Sequence, residues 1–557
     1  MSHSLAARYL FLLPFLFFAA IIFFEISQTP FLYDSAIHID AAKLLAHPPD
    51  RITPYSFELL STTTSGPILT IAGALTTAVA GNHIWTPGLA AALLNLSIFL
   101  CFIFRLRDIF SSSAALTTSF FLAFILIDIQ WWTLFLGEMP AILFFLIAIT
   151  YAIDTSISTR RRYTFTALAI AFSLRAKMIS LPMIGGIILY LAAEQYKLWQ
   201  LDKKSLSLIL QECVFALLIL AISYILLYFP YHGVFLYAKS GDFFSSLQTN
   251  NNFLSSNSAM GIGKLLASQS PITAITDNIS KNAGLLLSHS KTKFGIINSI
   301  LIALSCAPSI FFLFKKQNLP TTKLIQIILL SASITSIWFF VINQAFFERY
   351  TLTIISLIFA LSIFSLYRIH PVITPVFFLI FVLLSPAEQK SHLLQTLVLQ
   401  KKTGDAFLLN ATYNQNIIET TQYLLSNPPP PPLAKCGWMG AVWSVDYLLP
   451  QHDSFTDCYE LMRSALSVQT STNGEKLYSW KSPINFTLVT DKLSWRFSKF
   501  NAIARPMQNA VAKACRQNIL YENQTFRVMR CTDDALKANL QPNEVGRFVD
   551  NNPIWKR

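Results

Sequence analysis

The sequence has few charged residues. Of its 557 residues, 13% are Asp, Glu, Lys or Arg, whereas 53% are hydrophobic and 46 are Phe. A soluble globular domain carries roughly 25% charged residues, and the apolar residues here form long blocks with little interruption. This composition excludes an ordinary soluble protein and predicts a polytopic α-helical membrane protein.

The excess of basic residues does not predict a nucleic-acid-binding protein. The formal net charge is +13, but most Lys and Arg residues lie in short clusters between apolar blocks. Clusters in such positions set the orientation of a membrane protein, because cytoplasmic loops are enriched in Lys and Arg. We therefore expect a membrane as partner and no nucleic acid.

The N-terminal region lacks a signal-peptide cleavage site. Its first apolar block, YLFLLPFLFFAAIIFF from Tyr9, follows a segment whose only charge is Arg8, and no A-x-A-like site precedes FLYDS. We therefore expect an uncleaved first transmembrane helix with its N-terminus in the cytoplasm.

Arg105 and Arg107 decide the topology that follows the first helix. Two segments, GPILTIAGALTTAVA from Gly66 and GLAAALLNLSIFLCFIF from Gly88, are apolar enough to cross a membrane. If both crossed, the two arginines would lie outside, against the positive-inside rule. We predict that only the second crosses and that residues 31–87 form one external loop with interfacial helices.

The remaining apolar blocks bring the predicted number of transmembrane helices to eleven. DTSISTRRRY, FKK and YRIH are placed in the cytoplasm, and the polar stretch from Tyr231 to Lys293 is placed outside. An odd number of spans leaves the C-terminus outside, so we predict a transmembrane catalytic domain, 1–389, and an extracytoplasmic soluble domain, 390–557. The later spans are expected at about 113–129, 139–153, 163–194 (a helical hairpin), 206–229, 294–314, 323–342, 351–367 and 371–387.

The C-terminal domain is predicted to be a small α/β domain. INFTLVT and LYENQTFRVMRC alternate as strands do, IARPMQNAVAKACRQ has the pattern of an amphipathic helix, and PPPPP at 428–432 predicts a stiff spacer. No catalytic motif occurs in it. Its four cysteines predict one or two disulfides with three pairings open, and their spacing does not resemble a zinc site: Cys436, Cys458, Cys515 and Cys531.

Polar residues converge on the outer face of the predicted helices. A polyprenyl-phosphate sugar has its tail in the bilayer and its phosphate and sugar at this surface. Transfer of the sugar needs a carboxylate base for the acceptor hydroxyl and cations for the phosphate, but no acid, because the leaving group is already a stabilised anion. The outer-face residues are Asp34, His38, Asp40, Glu138, Arg175, Lys177, Glu348 and Arg349.

The order of these motifs resembles the C-type glycosyltransferases (GT-C), above all the bacterial aminoarabinose transferases and the protein O-mannosyltransferase relatives. It runs through YDSAIHIDAAKLL, TTTSGPIL, LGEMP, LRAKMISLP and FFERYTLTI. The resemblance covers about the first 390 residues. It implies that Asp34 and Glu138 are the catalytic acidic positions, and that Arg349, Tyr350 and Lys177 lie at the donor phosphate.

This sequence departs from the family at two positions. Ser35 follows Asp34 where an acidic pair is usual, and the KPPL-like loop occurs as Ser65-Gly66-Pro67-Ile68, without lysine. Arg175 therefore joins the candidates for phosphate binding. His38, Asp40, Ser65 and Pro67 are the candidates for an acceptor or substrate loop.

The sequence predicts an inverting glycosyltransferase of the bacterial inner membrane. Its donor would be a polyprenyl-phosphate sugar, and its acceptor a lipid, a glycan or a protein. The sequence identifies no cofactor and leaves the need for a metal open. Asp34, His38 and Glu138 are candidate ligands for a divalent metal, and a hydrogen-bonding role for His38 is the alternative.

Two other functions fit the composition. A secondary transporter or lipid flippase is the main alternative, although transporters place ionisable residues near the bilayer midplane and often have repeated halves. A scaffold anchored by its helices is the third, and it would not need eleven spans.

Overall fold

The structure is a computed structural model that describes fifteen stretches of the chain: residues 12–26, 33–47, 67–127, 129–201, 205–240, 271–293, 295–314, 319–342, 351–384, 405–429, 434–437, 443–450, 455–481, 483–491 and 501–551. The chain forms two compact units. Unit 1 comprises Met1–Ser27, Thr64–Ala72 and Gly88–Lys402, and unit 2 comprises Gln28–Thr63, Gly73–Pro87 and Thr403–Arg557.

Helices make up most of the described part of the chain as far as residue 384. In chain order they are α1 (Leu12–Glu25), α2 (Tyr33–Ala46), α3 (Pro67–Ala80), α4 (Thr86–Ile109), α5 (Ser113–Ile127), α6 (Gln130–Thr133), α7 (Glu138–Ile153), α8 (Thr159–Ala176), α9 (Leu181–Gln200), α10 (Leu206–Ser240), α11 (Pro271–Lys293), α12 (Gly295–Phe314), α13 (Pro320–Ile337), α14 (Thr351–Ile369) and α15 (Ile373–Leu384). A 3-10 turn, Met178–Ser180, joins α8 to α9, and a π-helical segment, Trp338–Ile342, ends α13.

Several of these helices are long and apolar enough to cross a membrane. Among the described residues five have this length and composition: Thr86–Ile109, Met178–Gln200, Leu206–Leu227, Pro320–Ile342 and Thr351–Ile369. Shorter apolar helices, including Leu12–Glu25 and Glu138–Ile153, accompany them. The prediction of a mainly helical protein with several apolar helices is confirmed.

Aromatic side chains form the centre of the core of unit 1. The indole of Trp132 is fully buried and packs edge-on against Phe18, Phe99 and Phe124, with ring centroids 4.7, 5.4 and 5.1 Å away. Edge-to-face packing of this kind is favourable because the positive ring edge meets the negative ring face. It joins α1, α4 and α5 to the segment before α7.

Ion pairs mark one end of unit 1. Arg105 Nη2 lies 2.6 Å from Asp154 Oδ2, and Arg162 Nη2 lies 2.6 Å from Glu194 Oε2. The ends of α4, α7 and α9 and the start of α8 therefore carry paired charges. RLRD and DTSISTRRRY therefore meet at one end of unit 1, and their side of the membrane stays a prediction.

Unit 2 contains a mixed five-stranded sheet. Its strands are β1 (Ala434–Gly437), β2 (Thr456–Asp457), β5 (Phe486–Asp491), β6 (Ile519–Glu522) and β7 (Phe526–Cys531), in the order β2-β1-β5-β7-β6; β3 (Leu466–Thr470) and β4 (Lys476–Trp480) form a separate hairpin. Strand β1 runs parallel to β2 and β5, whereas β7 is antiparallel to β5 and β6. The helices of this part are α16 (Asp405–Ser426), α17 (Trp443–Leu448), α18 (Cys458–Ser464), α19 (Asn501–Cys515), α20 (Asp533–Asn539) and α21 (Pro542–Asn551).

The predicted elements of the C-terminal part are present. INFTLVT and FRVMRC form β5 and β7, and Leu488 pairs with Met529 at a position where both side chains are fully buried. The predicted amphipathic helix is α19. Of the predicted spacer, residues 430–432 lie outside the described residues.

Two disulfides select one of the three pairings that the sequence left open. Cys436 is bonded to Cys458, and Cys515 is bonded to Cys531. The first closes a loop that contains α17 and β2, and the second ties α19 to β7. The cysteines of the apolar helices, Cys101, Cys213 and Cys306, are free.

Helix α2 and the second half of α3 belong to unit 2. The Lys43 ammonium donates a hydrogen bond to the Asp446 carbonyl oxygen, and Thr77 Oγ1 lies 3.2 Å from Tyr447 Oη. Both contacts join the predicted first external loop to α17. Helix α3 ends at Ala80, and the next residue, Gly81, has a φ of +79°, a conformation that glycine adopts without a steric penalty.

Candidate functional site

A buried ion pair joins Glu138 and Lys177. Lys177 Nζ lies 3.1 Å from Glu138 Oε1, and the two side chains are 6% and 0% exposed, respectively. Glu138 is the first residue of α7, where the helix dipole favours a carboxylate. Lys177 follows α8 in an extended conformation. The pair lies at the opposite end of α7 from Asp154, about 24 Å away along the helix axis.

Gly137 permits the close approach of the two segments. A Cβ atom built on Gly137 would lie 2.1 Å from Ala176 O and 3.2 Å from Lys177 Cδ. One turn further along, Ser173 Oγ donates a 2.7 Å hydrogen bond to Ala141 O. The geometry of the ion pair therefore depends on a residue without a side chain immediately before Glu138.

The start of α3 packs beside this pair. Ile68 forms a small buried cluster with Ala141 and Ala176, which are three residues after Glu138 and one residue before Lys177. Pro67, predicted for the substrate loop, is the first residue of α3. Ser65 lies outside the described residues.

A second cluster brings the flanks of the predicted phosphate motif to the same end of unit 1. Ile179, two residues after Lys177, packs with Trp338 and Phe339 of the π-helical segment and with Ile354 of α14. The segment 343–350, with Glu348, Arg349 and Tyr350, lies outside the described residues. Phe339, before that segment, and Ile354, after it, both pack near the turn between α8 and α9 that contains Lys177.

Arg175 is engaged by α10. Its Nε donates a 2.8 Å hydrogen bond to Tyr224 O, and its guanidinium carbon lies 3.3 Å from the centroid of the Tyr224 ring. The side chain is 9% exposed. These contacts place it on the α8–α10 interface, and its role at a phosphate stays a prediction.

Asp34, His38 and Asp40 all lie on α2, in unit 2. His38 is 1% exposed. The catalytic role of Asp34 and the substrate roles of His38 and Asp40 stay predictions.

Two asparagines that the sequence did not single out bind the π-helical segment. Asn282 Nδ2 donates a 2.8 Å hydrogen bond to Phe339 O, and Asn278 Nδ2 donates a 3.0 Å hydrogen bond to Val341 O. A π turn disrupts the regular backbone ladder, so its carbonyl groups need other donors. In the sequence, only their spacing of one helical turn indicates that the two asparagines act on the same face.

No group of three or more His, Cys, Asp and Glu side chains lies where it could hold a metal ion, within the stretches that the structure describes. Glu138 has an ammonium partner in the pair described above.

Comparisons with known proteins identify the fold. No protein-family model and no curated protein matches the sequence. The crystal structure of ArnT from Cupriavidus metallidurans bound to undecaprenyl phosphate matches with a TM-score of 0.50 at 12% identity, over 93% of this chain and 97% of that chain. The fold is that of ArnT. ArnT is an aminoarabinose transferase, a GT-C glycosyltransferase and an integral membrane protein.

The apo structure of the same ArnT matches with a TM-score of 0.43, also at 12% identity, over 94% of this chain and 98% of that chain. The ArnT-like fold expected from the order of the motifs is confirmed by the lipid-bound structure. That match covers 93% of this chain, so it extends beyond the 390 residues that carried the sequence resemblance.

In this ArnT-like fold the Glu138–Lys177 pair has chemistry suited to an anionic ligand. An ammonium held in place beside a carboxylate can donate further hydrogen bonds to phosphate oxygens without reorganising. The carboxylate holds the lysine in place. Burial of the pair excludes water, which strengthens the attraction between the ammonium and an incoming anion.

Proposed function

We propose that this protein is an inverting glycosyltransferase that moves a sugar from a polyprenyl-phosphate donor to an acceptor at the outer face of the bacterial inner membrane. The observation that carries the proposal is the ArnT-like fold, which holds Glu138, Lys177 and the flanks of the Arg349 segment at one end of unit 1. The ArnT structure itself is described as bound to undecaprenyl phosphate.

The proposed topology has eleven transmembrane helices and an extracytoplasmic C-terminal domain. It places the Arg105–Asp154 and Arg162–Glu194 pairs in the cytoplasm and the Glu138–Lys177 pair outside. The distribution follows the positive-inside rule, since the basic cluster at residues 160–162 lies at the cytoplasmic end.

In the proposed reaction an acceptor hydroxyl oxygen attacks the anomeric carbon of the donor. The bond from that carbon to the phosphate oxygen breaks, and the polyprenyl phosphate leaves as an anion. Asp34 takes the hydroxyl proton. Because the oxygen attacks the face of the anomeric carbon opposite the leaving phosphate in a single displacement, the anomeric configuration inverts.

Lys177 and Arg349 would hold the phosphate as its charge develops. Stabilisation of charge by preorganised donors is usually the largest contribution to catalysis of this kind. Glu138 would orient Lys177 and the substrate. The acceptor would be a lipid, a glycan or a protein.

The Asp34→Asn variant tests this mechanism. Amide replacement keeps the size of the side chain and removes the base, so transfer is expected to fall by about 10²–10⁴-fold. Asp108→Asn is the control. Asp108 lies at the end of unit 1 that carries the Arg105–Asp154 pair, and 45% of its side chain is exposed. The measurement is polyprenyl-phosphate release from a panel of radiolabelled donors. Wild-type release by the folded Asp34→Asn variant would refute Asp34 as the base.

A further inference from the structure

The Cys436–Cys458 disulfide encloses the segment on which α2 rests. The two cysteines are 22 residues apart, and the loop between them contains α17 and Phe455. Within it, Asp446 Oδ1 accepts a 2.7 Å hydrogen bond from Phe455 N. The loop is therefore closed at its ends by a covalent bond and braced across its middle by a carboxylate.

Two residues of α17 bind the helices of the predicted external loop. The Asp446 carbonyl accepts a hydrogen bond from Lys43 of α2, across 403 positions of sequence. Tyr447 Oη makes its contact with Thr77 of α3 across 370 positions. Successive residues of one short helix thus hold two segments that are distant in the chain.

The residues that make these contacts are buried. Lys43 is 2% exposed, Asp446 is 3% exposed and Tyr447 is fully buried. A lysine is rarely buried to this extent without a partner, because removing an ammonium from water is costly. The α2 residues beside it, Ile39 and Ala42, are each 2% exposed, so this side of α2 is buried along several residues.

We infer that the loop closed by Cys436 and Cys458 is a platform that positions α2, and with it Asp34, for the transfer reaction. The inference rests on the proposed function, and it gives the C-terminal domain a role in catalysis. Lys43 and Tyr447 are positioning residues that act through α2 and α3. Asp34 lies on the same helix, nine residues before Lys43.

The chain offers a matched control for each part of the platform. Lys435 is a second buried lysine of unit 2, 8% exposed, and it lies on β1 rather than α2. Cys515–Cys531 is a second disulfide of unit 2 with a comparable separation of 16 residues, and its loop does not contain α17. A general loss of stability would affect the variants of both sets alike.

The experiment compares Lys43→Met with Lys435→Met, and Cys436→Ala/Cys458→Ala with Cys515→Ala/Cys531→Ala, in the full-length protein. Hydrogen exchange of peptides covering residues 33–46 reports how readily the backbone hydrogen bonds of α2 open, without requiring activity. We expect exchange about tenfold faster in Lys43→Met and in the Cys436–Cys458 variant than in their controls, since each loses a restraint on α2. Unchanged exchange in Lys43→Met would overturn the inference.

Kinetics supply the second readout. A misplacement of about 1 Å can cost about 10²-fold in rate, so kcat should fall by up to that factor in the two platform variants. The donor KM should change little, because Lys177 lies in unit 1. In an Asp34→Asn background Lys43→Met should have no further effect on kcat; an equal effect in both backgrounds would overturn the inference.

The proposed function can fail separately. If the wild type releases no polyprenyl phosphate from any donor while α2 still responds selectively to Lys43→Met and to loss of Cys436–Cys458, the platform stands and the transfer reaction is wrong. If α2 exchange rises equally in the variants and in their controls, the platform is wrong whatever the reaction.

Discussion

Lys177→Met is expected to lower the rate of sugar transfer by about 10²–10³-fold, the loss typical of removing one preorganised donor from a developing anion. The ammonium is 3.1 Å from a fully buried carboxylate. Its removal leaves that charge in a site from which water is excluded, so the free energy of unfolding should also fall by about 3–5 kcal/mol. Transfer and thermal unfolding are measured on the same detergent-solubilised preparation.

A double variant separates the two losses. Glu138→Gln with Lys177→Met removes both charges and keeps both volumes, so it should recover most of the stability lost by Lys177→Met alone. We expect no recovery of transfer, because the phosphate donor is still missing. A double variant with wild-type transfer would show that the pair serves folding alone.

Gly137→Ala is expected to push the start of α7 away from Ala176 and Lys177. The added methyl group would lie 2.1 Å from the Ala176 carbonyl oxygen, and backbone on both sides must move to relieve the overlap. Overpacking of this kind lowers the free energy of unfolding by about 1–3 kcal/mol. The backbone shift also moves Glu138, the next residue. Transfer should drop, by about 10²-fold if the displacement reaches about 1 Å.

Gly284→Ala is the matched control for Gly137→Ala. Gly284 lies within α11. Apart from its chain neighbours and the nearby backbone of its own helix, nothing comes within 4 Å of the added Cβ. Alanine favours a helix over glycine by about 1 kcal/mol, so this variant should be as stable as the wild type or more so. Equal losses of activity in the two variants would show that Gly137 has no special role.

The positions of the apolar helices could be predicted because each is encoded locally, as a run of apolar residues. The positive-inside rule predicts that Arg105 and Asp154 lie on the same side of the membrane, and the structure brings the two residues into contact. Glu138 and Lys177 were both named as outer-face residues. Their direct contact could not be predicted, because it depends on how the α7–α8 hairpin closes at Gly137.

Contacts that join distant parts of the chain left no local pattern. Nothing in the sequence around Lys43 indicates Asp446 as its partner, since a buried lysine and an exposed one look the same in a single sequence. The disulfide pairing was equally open, because three pairings satisfy the same four cysteines. Helix α11 was missed because its Asn-rich and Ser-rich composition is also typical of loops.

The measurement that tests the central claim most directly is the fate of the bond between sugar and phosphate. The purified wild-type protein is placed in proteoliposomes with polyprenyl-phosphate donors that carry separate labels on sugar and phosphate, together with membrane extract as acceptor. Our account predicts that the labels separate, with one polyprenyl phosphate released for each sugar transferred. Intact donor that crosses the bilayer with both labels still joined would contradict it and would identify a flippase.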